Sequence, residues 1–199
     1  PLYEYLPKLK DKFFGKSTLA QALDMKNGME WSENYEDPSS ATMLSGSVGG
    51  WDPLNPKKGP ESWYEQMFDY PEYGKHGKTW VYSNASVVAS SFAAAEIAGR
   101  PFSDLVQTSY NKLGFEDRSY YAANQFNELS SEGGQALTIR DYAKLGLFMI
   151  ETTNSPYVND VWNVIYDPKD PSDSVFLKKY GGNFLGSVGY KNYWYKIND

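Results

Sequence analysis

The chain has 199 residues, with 19 Lys plus Arg against 25 Asp plus Glu and a formal net charge of -6. That acidic balance argues against nucleic acid as a partner, where a basic face would supply most of the affinity, and no apolar run approaches the roughly 18–20 residues of a membrane span. Cysteine is absent and His76 is the single histidine, which excludes disulfides, thiolate metal sites, a cysteine nucleophile and a histidine-rich metal centre. The hydrophobic fraction of 41% and the length suit one domain with a sizeable core. No cofactor is expected. Aromatic residues reach 17%, and Tyr and Trp in particular suit pockets for ligands that are part apolar and part hydrogen-bonding.

In chain order, Ser17 reads as an N-cap for a helix over Thr18–Lys26, with Gly28 as its stop. Residues 33–58, with Pro38, Gly46, Gly49, Gly50, Pro53 and Pro56, read as a long ordered loop. A short helix follows from Pro60 through Phe68, then a turn-rich stretch over Pro71–Lys78. Thr79–Tyr82 reads as a short strand leading directly into a helix over Asn84–Ala98, which ends at Gly99. A second helix covers Phe102–Lys112 and closes at Gly114. Thr138 with Asp141 three residues on resembles a capping box, opening a helix that runs to about Glu151. Asp167–Asp173 is a polar loop whose aspartates lack calcium-loop spacing. Tyr190–Tyr195 is a strand-like aromatic run with no partner strand after it. Pro1 opens the chain without Met, so the whole reads as an internal part of a larger protein. That leaves compartment and oligomeric state open.

The segment Trp80-Val81-Tyr82-Ser83-Asn84 is the best candidate for chemistry. A strand end that becomes a helix leaves free backbone N–H groups and the positive end of a helix dipole near the first side chains. A tyrosine there shares its proton more readily than free Tyr, whose pKa is about 10, and a neighbouring lysine would help by stabilising phenolate. Asn84 both donates and accepts hydrogen bonds. As a free-standing pattern, Tyr-x-Asn is weak.

Its surroundings add to it. Thr18–Trp31, Asn34-Tyr35-Glu36-Asp37-Pro38, Tyr82-Ser83-Asn84, Glu96–Phe102, Leu113-Gly114-Phe115 and the run from Gly133-Gly134 to Gly146 follow one another in an order that resembles the serine β-lactamase and penicillin-binding-protein superfamily. The closer likeness is to class C β-lactamase-related esterases and 6-aminohexanoate-dimer (nylon-oligomer) hydrolases. It covers about residues 5–150. The resemblance implies an α+β, β-lactamase/DD-peptidase-like fold, of which this chain would hold mainly the helical subdomain, with part of the antiparallel sheet missing and an apolar helical face left exposed. It also implies a serine hydrolase cleaving a small amide or ester through an acyl-enzyme.

In that family a Ser-x-x-Lys supplies the nucleophile. The resemblance places this motif before Pro1 and the third, Lys-Thr-Gly-like motif beyond Asp199. Tyr82 is implied as the proton-transfer residue. Tyr35 is implied as a loop phenol over the scissile amide. Asn84, Ser83, Gly133 and Gly134 are implied to line the substrate site. The Ser109-Tyr110-Asn111-Lys112 tetrad is in the wrong order and at a helix end, where the local field opposes an anion. His76 reads as an exposed loop residue, and Arg140 and Asp141 as helix-start groups. The alternative is an inactive relative that binds peptidoglycan, sugar or peptide through its aromatic loop.

Overall fold

The N-terminal residues reach the core through short turns. In the computed structural model, which describes residues 1–52, 59, 61–67, 70–162 and 187–198, 3-10 helices cover Leu2–Glu4, Pro7–Leu9 and Phe14–Lys16. They turn Leu2, Leu6, Leu9 and Phe14 inward. Gly15 crosses Leu9 so closely that an added Cβ would lie 2.0 Å from the Leu9 carbonyl oxygen.

Helix α1 covers Leu19–Leu23, shorter than expected and capped one residue later. Thr18, not Ser17, is the N-cap, because Thr18 and Gln21 cap each other's backbone N–H groups in a full capping box. Ser17 is buried and its hydroxyl donates to the Phe14 carbonyl. Met25 then takes a positive φ of 54 and the helix cannot continue.

The expected loop over 33–58 contains a helix, α2, at Ala41–Val48. Pro38 and Gly46 obscured it, whereas the Ser40 hydroxyl accepting from Met43 N–H is an ordinary start signal. The next helix, α3, covers Trp63–Gln66 with Ser62 as its cap. Thr79–Tyr82 joins no strand pair; Thr79 N–H turns back to the Lys75 carbonyl and Val81 N–H reaches the Met25 carbonyl.

Helix α4, Asn84–Ala98, and helix α5, Phe102–Lys112, have the expected bounds. α4 is rich in Ala and Ser and is buried on several sides, so neighbouring elements approach its backbone closely; it packs on α1, α3 and α5. Its buried Ser90 and Ser91 hydroxyls donate back to the Ser86 and Val88 carbonyls. Gly99 ends it in the left-handed region. The main core joins α4 (Ala85, Val88, Ala89, Ala93) to Trp63, Met67, Met29, Ala22 and the N-terminal leucines.

Strands β1 (Tyr120–Tyr121) and β2 (Gln135–Ala136) form a short antiparallel pair. Helix α6, Ile139–Glu151, starts at Thr138. The Thr138 hydroxyl accepts from Asp141 N–H, but the box is not reciprocal. The Asp141 carboxylate instead accepts from the backbone N–H groups of Glu116 and Asp117 and pairs with Lys144. Desolvation opposes its ionisation, yet those donors hold its pKa down at about 2. Along α6, Ile139, Tyr142, Leu147, Phe148 and Ile150 are exposed, while Asp141 and Met149 are buried.

Helix α7 covers Pro156–Trp162 and packs Val158 and Val161 on Met149. The strand-like run expected at Tyr190–Tyr195 is the tip of a hairpin, with its own partner strand inside it. β3 (Ser187–Lys191) pairs with β4 (Trp194–Asn198) across the two-residue turn Asn192-Tyr193. Asp167–Asp173 lies outside the described residues.

Candidate active site

The position of Tyr82 is set by a chain of buried polar groups. Ser83 is the N-cap of α4, and its hydroxyl accepts from Ser86 N–H at 3.3 Å and touches Ser86 Oγ. Asn27 donates its amide N–H to Ser86 Oγ and accepts from Met29 N–H at 3.0 Å. Asn27, Ser83 and Ser86 are all fully buried. The loop after α1 is thereby bonded to the start of α4. Gly28 permits this crossing: it has a φ of 72, and a Cβ there would meet the Gly74 carbonyl oxygen at 2.3 Å. The turn at 73–77 closes over it, and His76 is part of that closure. Its ring stacks on Phe13 at 4.2 Å and Nδ1 donates to the Asn27 carbonyl, so His76 is a packed structural residue and not an exposed one.

Tyr82 is half-buried against Met25 and Trp80, together with Val87 and Tyr193. Its ring lies 6.5 Å from the Trp80 ring at 51°. Asn84 is the first residue of α4 and partly open. Ser83, by contrast, is closed off, with its hydroxyl used by the cap.

Tyr35 stands on a second element. It is 69% exposed, on a loop stiffened by turns in which Asn34 accepts from Glu36 N–H and Asp37 from Ser39 N–H. The Tyr35 hydroxyl donates to Glu33 at 2.9 Å, and the other Glu33 oxygen accepts from the Trp31 indole N–H. Partial burial, and then the Glu33 carboxylate, raise the Tyr35 pKa against a hydrogen bond with Thr42 that lowers it. The phenol therefore keeps its proton and acts as a donor.

The Gly133-Gly134 turn comes to the same side as α2. Gly134 has a φ of 72, and a Cβ on it would lie 2.6 Å from the Trp51 indole and 2.7 Å from Ala122. Trp51, 57% exposed, thus lies over this glycine. Gly133 has open space around it and carries no such requirement. Ser91 donates to Ser131 at 3.1 Å, tying the turn to α4. The contacts therefore join α2, Trp51 and Gly134 in one group, and Tyr82, Trp80 and Met25 in another, with α4 between them.

Sequence reasoning missed Trp51 and Glu132. Glu132 accepts a long hydrogen bond from Ser45 at 3.4 Å, and its Oε2 is buried without one. Burial pushes its carboxyl up to about 7, only partly offset by its own backbone N–H, Ser45 and the nearby Trp63 indole. A pKa raised on folding means the folded state binds the extra proton. The stability it contributes is complete below about pH 4.3 and is lost as pH rises through 7, by about 3 kcal/mol. Urea denaturation of Glu132→Gln at pH 5 and pH 8 is expected to show a smaller pH dependence than the parent; equal slopes would place Glu132 in water.

Ser109 donates to the Leu105 carbonyl at the exposed end of α5, a structural use of the tetrad's serine. Among the described residues, no group of three or more metal-binding side chains converges and no helix is long and apolar enough to cross a membrane.

No family model matches the chain. The 6-aminohexanoate-dimer hydrolase of Paenarthrobacter ureafaciens is 24% identical over 157 residues, which is 78% of this chain and 40% of that protein. A structure described as a 6-aminohexanoate-dimer hydrolase from Bacillus anthracis superposes on 98% of this chain and 50% of its own, with a TM-score of 0.76 and 21% identity. A penicillin-binding protein from Bacillus halodurans covers 100% of this chain and 62% of its own, with a TM-score of 0.64 and 16% identity. The fold is that of the β-lactamase and penicillin-binding-protein superfamily. The chain is similar to the 6-aminohexanoate-dimer hydrolases within it, and spans about 40% of the curated relative's length. Within the superfamily fold, the described residues are mostly helix with two short antiparallel strand pairs.

Proposed function

We propose that this chain forms part of a serine hydrolase that cleaves an amide or ester through an acyl-enzyme. The observation that carries the reading is Tyr82-Ser83-Asn84 at the start of α4, fixed by the Asn27–Ser86–Ser83 chain, in a chain similar to the 6-aminohexanoate-dimer hydrolases. On this reading the nucleophilic serine and its lysine come from sequence before Pro1. The serine oxygen attacks the substrate carbonyl carbon, and its proton passes to the Lys–Tyr82 pair. That pair then protonates the leaving amine or alcohol as the C–N or C–O bond breaks. Water adds to the acyl carbon, releases the acid and regenerates the serine. Asn84 orients the substrate or the lysine. Tyr35, which keeps its proton, hydrogen-bonds an amide leaving group once it exchanges Glu33 for substrate. Gly134 permits the close approach of the Trp51 indole to the Gly133-Gly134 turn.

The test is intact-mass analysis of the full-length protein mixed with a p-nitrophenyl ester and a short amide oligomer. The expected result is a mass increase equal to the acyl group, mapped to a serine before Pro1. Neither turnover nor adduct, together with saturable binding of a peptidoglycan fragment, would replace this reading with that of a binding relative.

A further inference from the structure

The hairpin turn between β3 and β4 carries a residue that turn geometry disfavours. Asn192 and Tyr193 have φ of 49 and 70, the double positive φ of a type I′ turn, whose second position is ordinarily Gly. Asn tolerates this backbone, but a bulky aromatic there is strained and persists only where its surroundings hold it. Tyr193 is held. Its hydroxyl lies 3.2 Å from Ser90 Oγ on α4 and 3.4 Å from the Ala22 carbonyl oxygen on α1. Its ring packs on the Met25–Trp80 pair that also supports Tyr82.

The turn is latched beside it. Lys191 pairs with Asp24 at 2.8 Å and with Asp160 of α7 at 3.4 Å. Asp24 ends α1, and the next residue, Met25, accepts from Val81 N–H, one residue before Tyr82. The turn thus braces both the backbone and the packing surface under Tyr82. Burial, and then the Asp24 carboxylate, push the Tyr193 phenol up against a hydrogen bond with Ser90 that lowers it, so Tyr193 stays neutral.

We propose that Tyr193 is a positioning residue that fixes the side chain of Tyr82, with Lys191 and Asp24 as the latch that holds the turn in place. The use made of a fixed Tyr82 rests on the hydrolase reading; the fixing itself does not. The substitution Tyr193→Gly creates the favoured Asn-Gly turn, so the hairpin is retained while the brace is removed. Tyr193→Phe keeps the ring and removes only the hydroxyl anchors.

In the full-length protein, Tyr193→Gly is expected to lower kcat roughly 10- to 100-fold with KM within about twofold. Tyr193→Phe is expected to fall between it and the parent. In a Tyr82→Phe background, Tyr193→Gly should have almost no further effect, because the group it positions is gone. Separately, 3-fluorotyrosine placed at position 82 should give one narrow fluorine resonance in the parent and a broadened or shifted one in Tyr193→Gly and, to a smaller degree, in Tyr193→Phe. An unchanged resonance in both variants would overturn the proposal. So would an undiminished loss of kcat in the Tyr82→Phe background. A parent that shows no acyl transfer but the expected fluorine change would overturn the hydrolase reading and leave the brace standing.

Discussion

A Tyr82→Phe variant of the full-length protein is expected to form acyl-enzyme roughly 10²- to 10⁴-fold more slowly than its parent, the range typical of losing a positioned proton-transfer group. Its melting temperature should barely change. Phe keeps the ring that packs on Met25 and Trp80, and the cap of α4 belongs to Ser83, not Tyr82. Stopped-flow measurement of the acylation burst with an activated ester checks this. An unchanged burst rate would remove Tyr82 from the chemistry. A large fall in melting temperature would show that the hydroxyl is structural, as in an ordinary tyrosine at a helix start.

Trp63→Ala is expected to give the largest loss of stability, about 3–5 kcal/mol. The indole is fully buried among the core residues of α4 and the N-terminal turns. Its surroundings have little room to collapse: a Cβ added at Gly49 would come within 3.0 Å of its ring. The backbone N–H of Trp63 also donates to Glu128 at 2.9 Å, and Glu128 in turn accepts from Asn124. The cavity would therefore open where α3 meets the 124–132 loop. Against a total stability of typically 5–15 kcal/mol, this loss is large, and urea denaturation followed by far-ultraviolet dichroism measures it directly. A shift below about 1 kcal/mol would mean that the site refills by repacking.

The helices that place the site were legible because their signals are local. Gly99 and Gly114 stop α4 and α5, and Thr138 opens α6; each acts within a few residues of its element. Helix α2 was hidden because Pro38 and Gly46 read as loop residues, although Pro38 lies before the Ser40 cap and Gly46 is tolerated inside the helix. The strand expected at Thr79–Tyr82 fails for the opposite reason. Its backbone partners are the turns at Lys75 and Met25 rather than a strand, and local sequence does not say which chain will lie alongside. The site divides in the same way. Tyr82 and Tyr35 are marked by the motifs around them. Asn27, Ser86, Trp51 and Glu132 matter through contacts with residues far away in sequence: Asn27 meets Ser86 across 59 positions and Ser45 meets Glu132 across 87. In the sequence Gly28 reads as a helix stop, and Asn27 carries no signal of its own. Nothing within ten residues of Glu132 announces that its carboxyl will be buried.

The two tyrosines are mounted very differently. Moving Tyr82 means breaking into the hydrogen-bonded interior at Asn27 and Ser86, so it opens only with the cooperative core. Moving Tyr35 means breaking its hydrogen bonds to Glu33 and Thr42 and loosening turns made by Asn34 and Asp37. One phenol therefore packs against the interior, and the other stands on a surface loop held by a few local hydrogen bonds. On the hydrolase reading, changes at Asn34, Glu36 or Ser39 would retune how fast a substrate exchanges at Tyr35 while the start of α4 keeps its bonds.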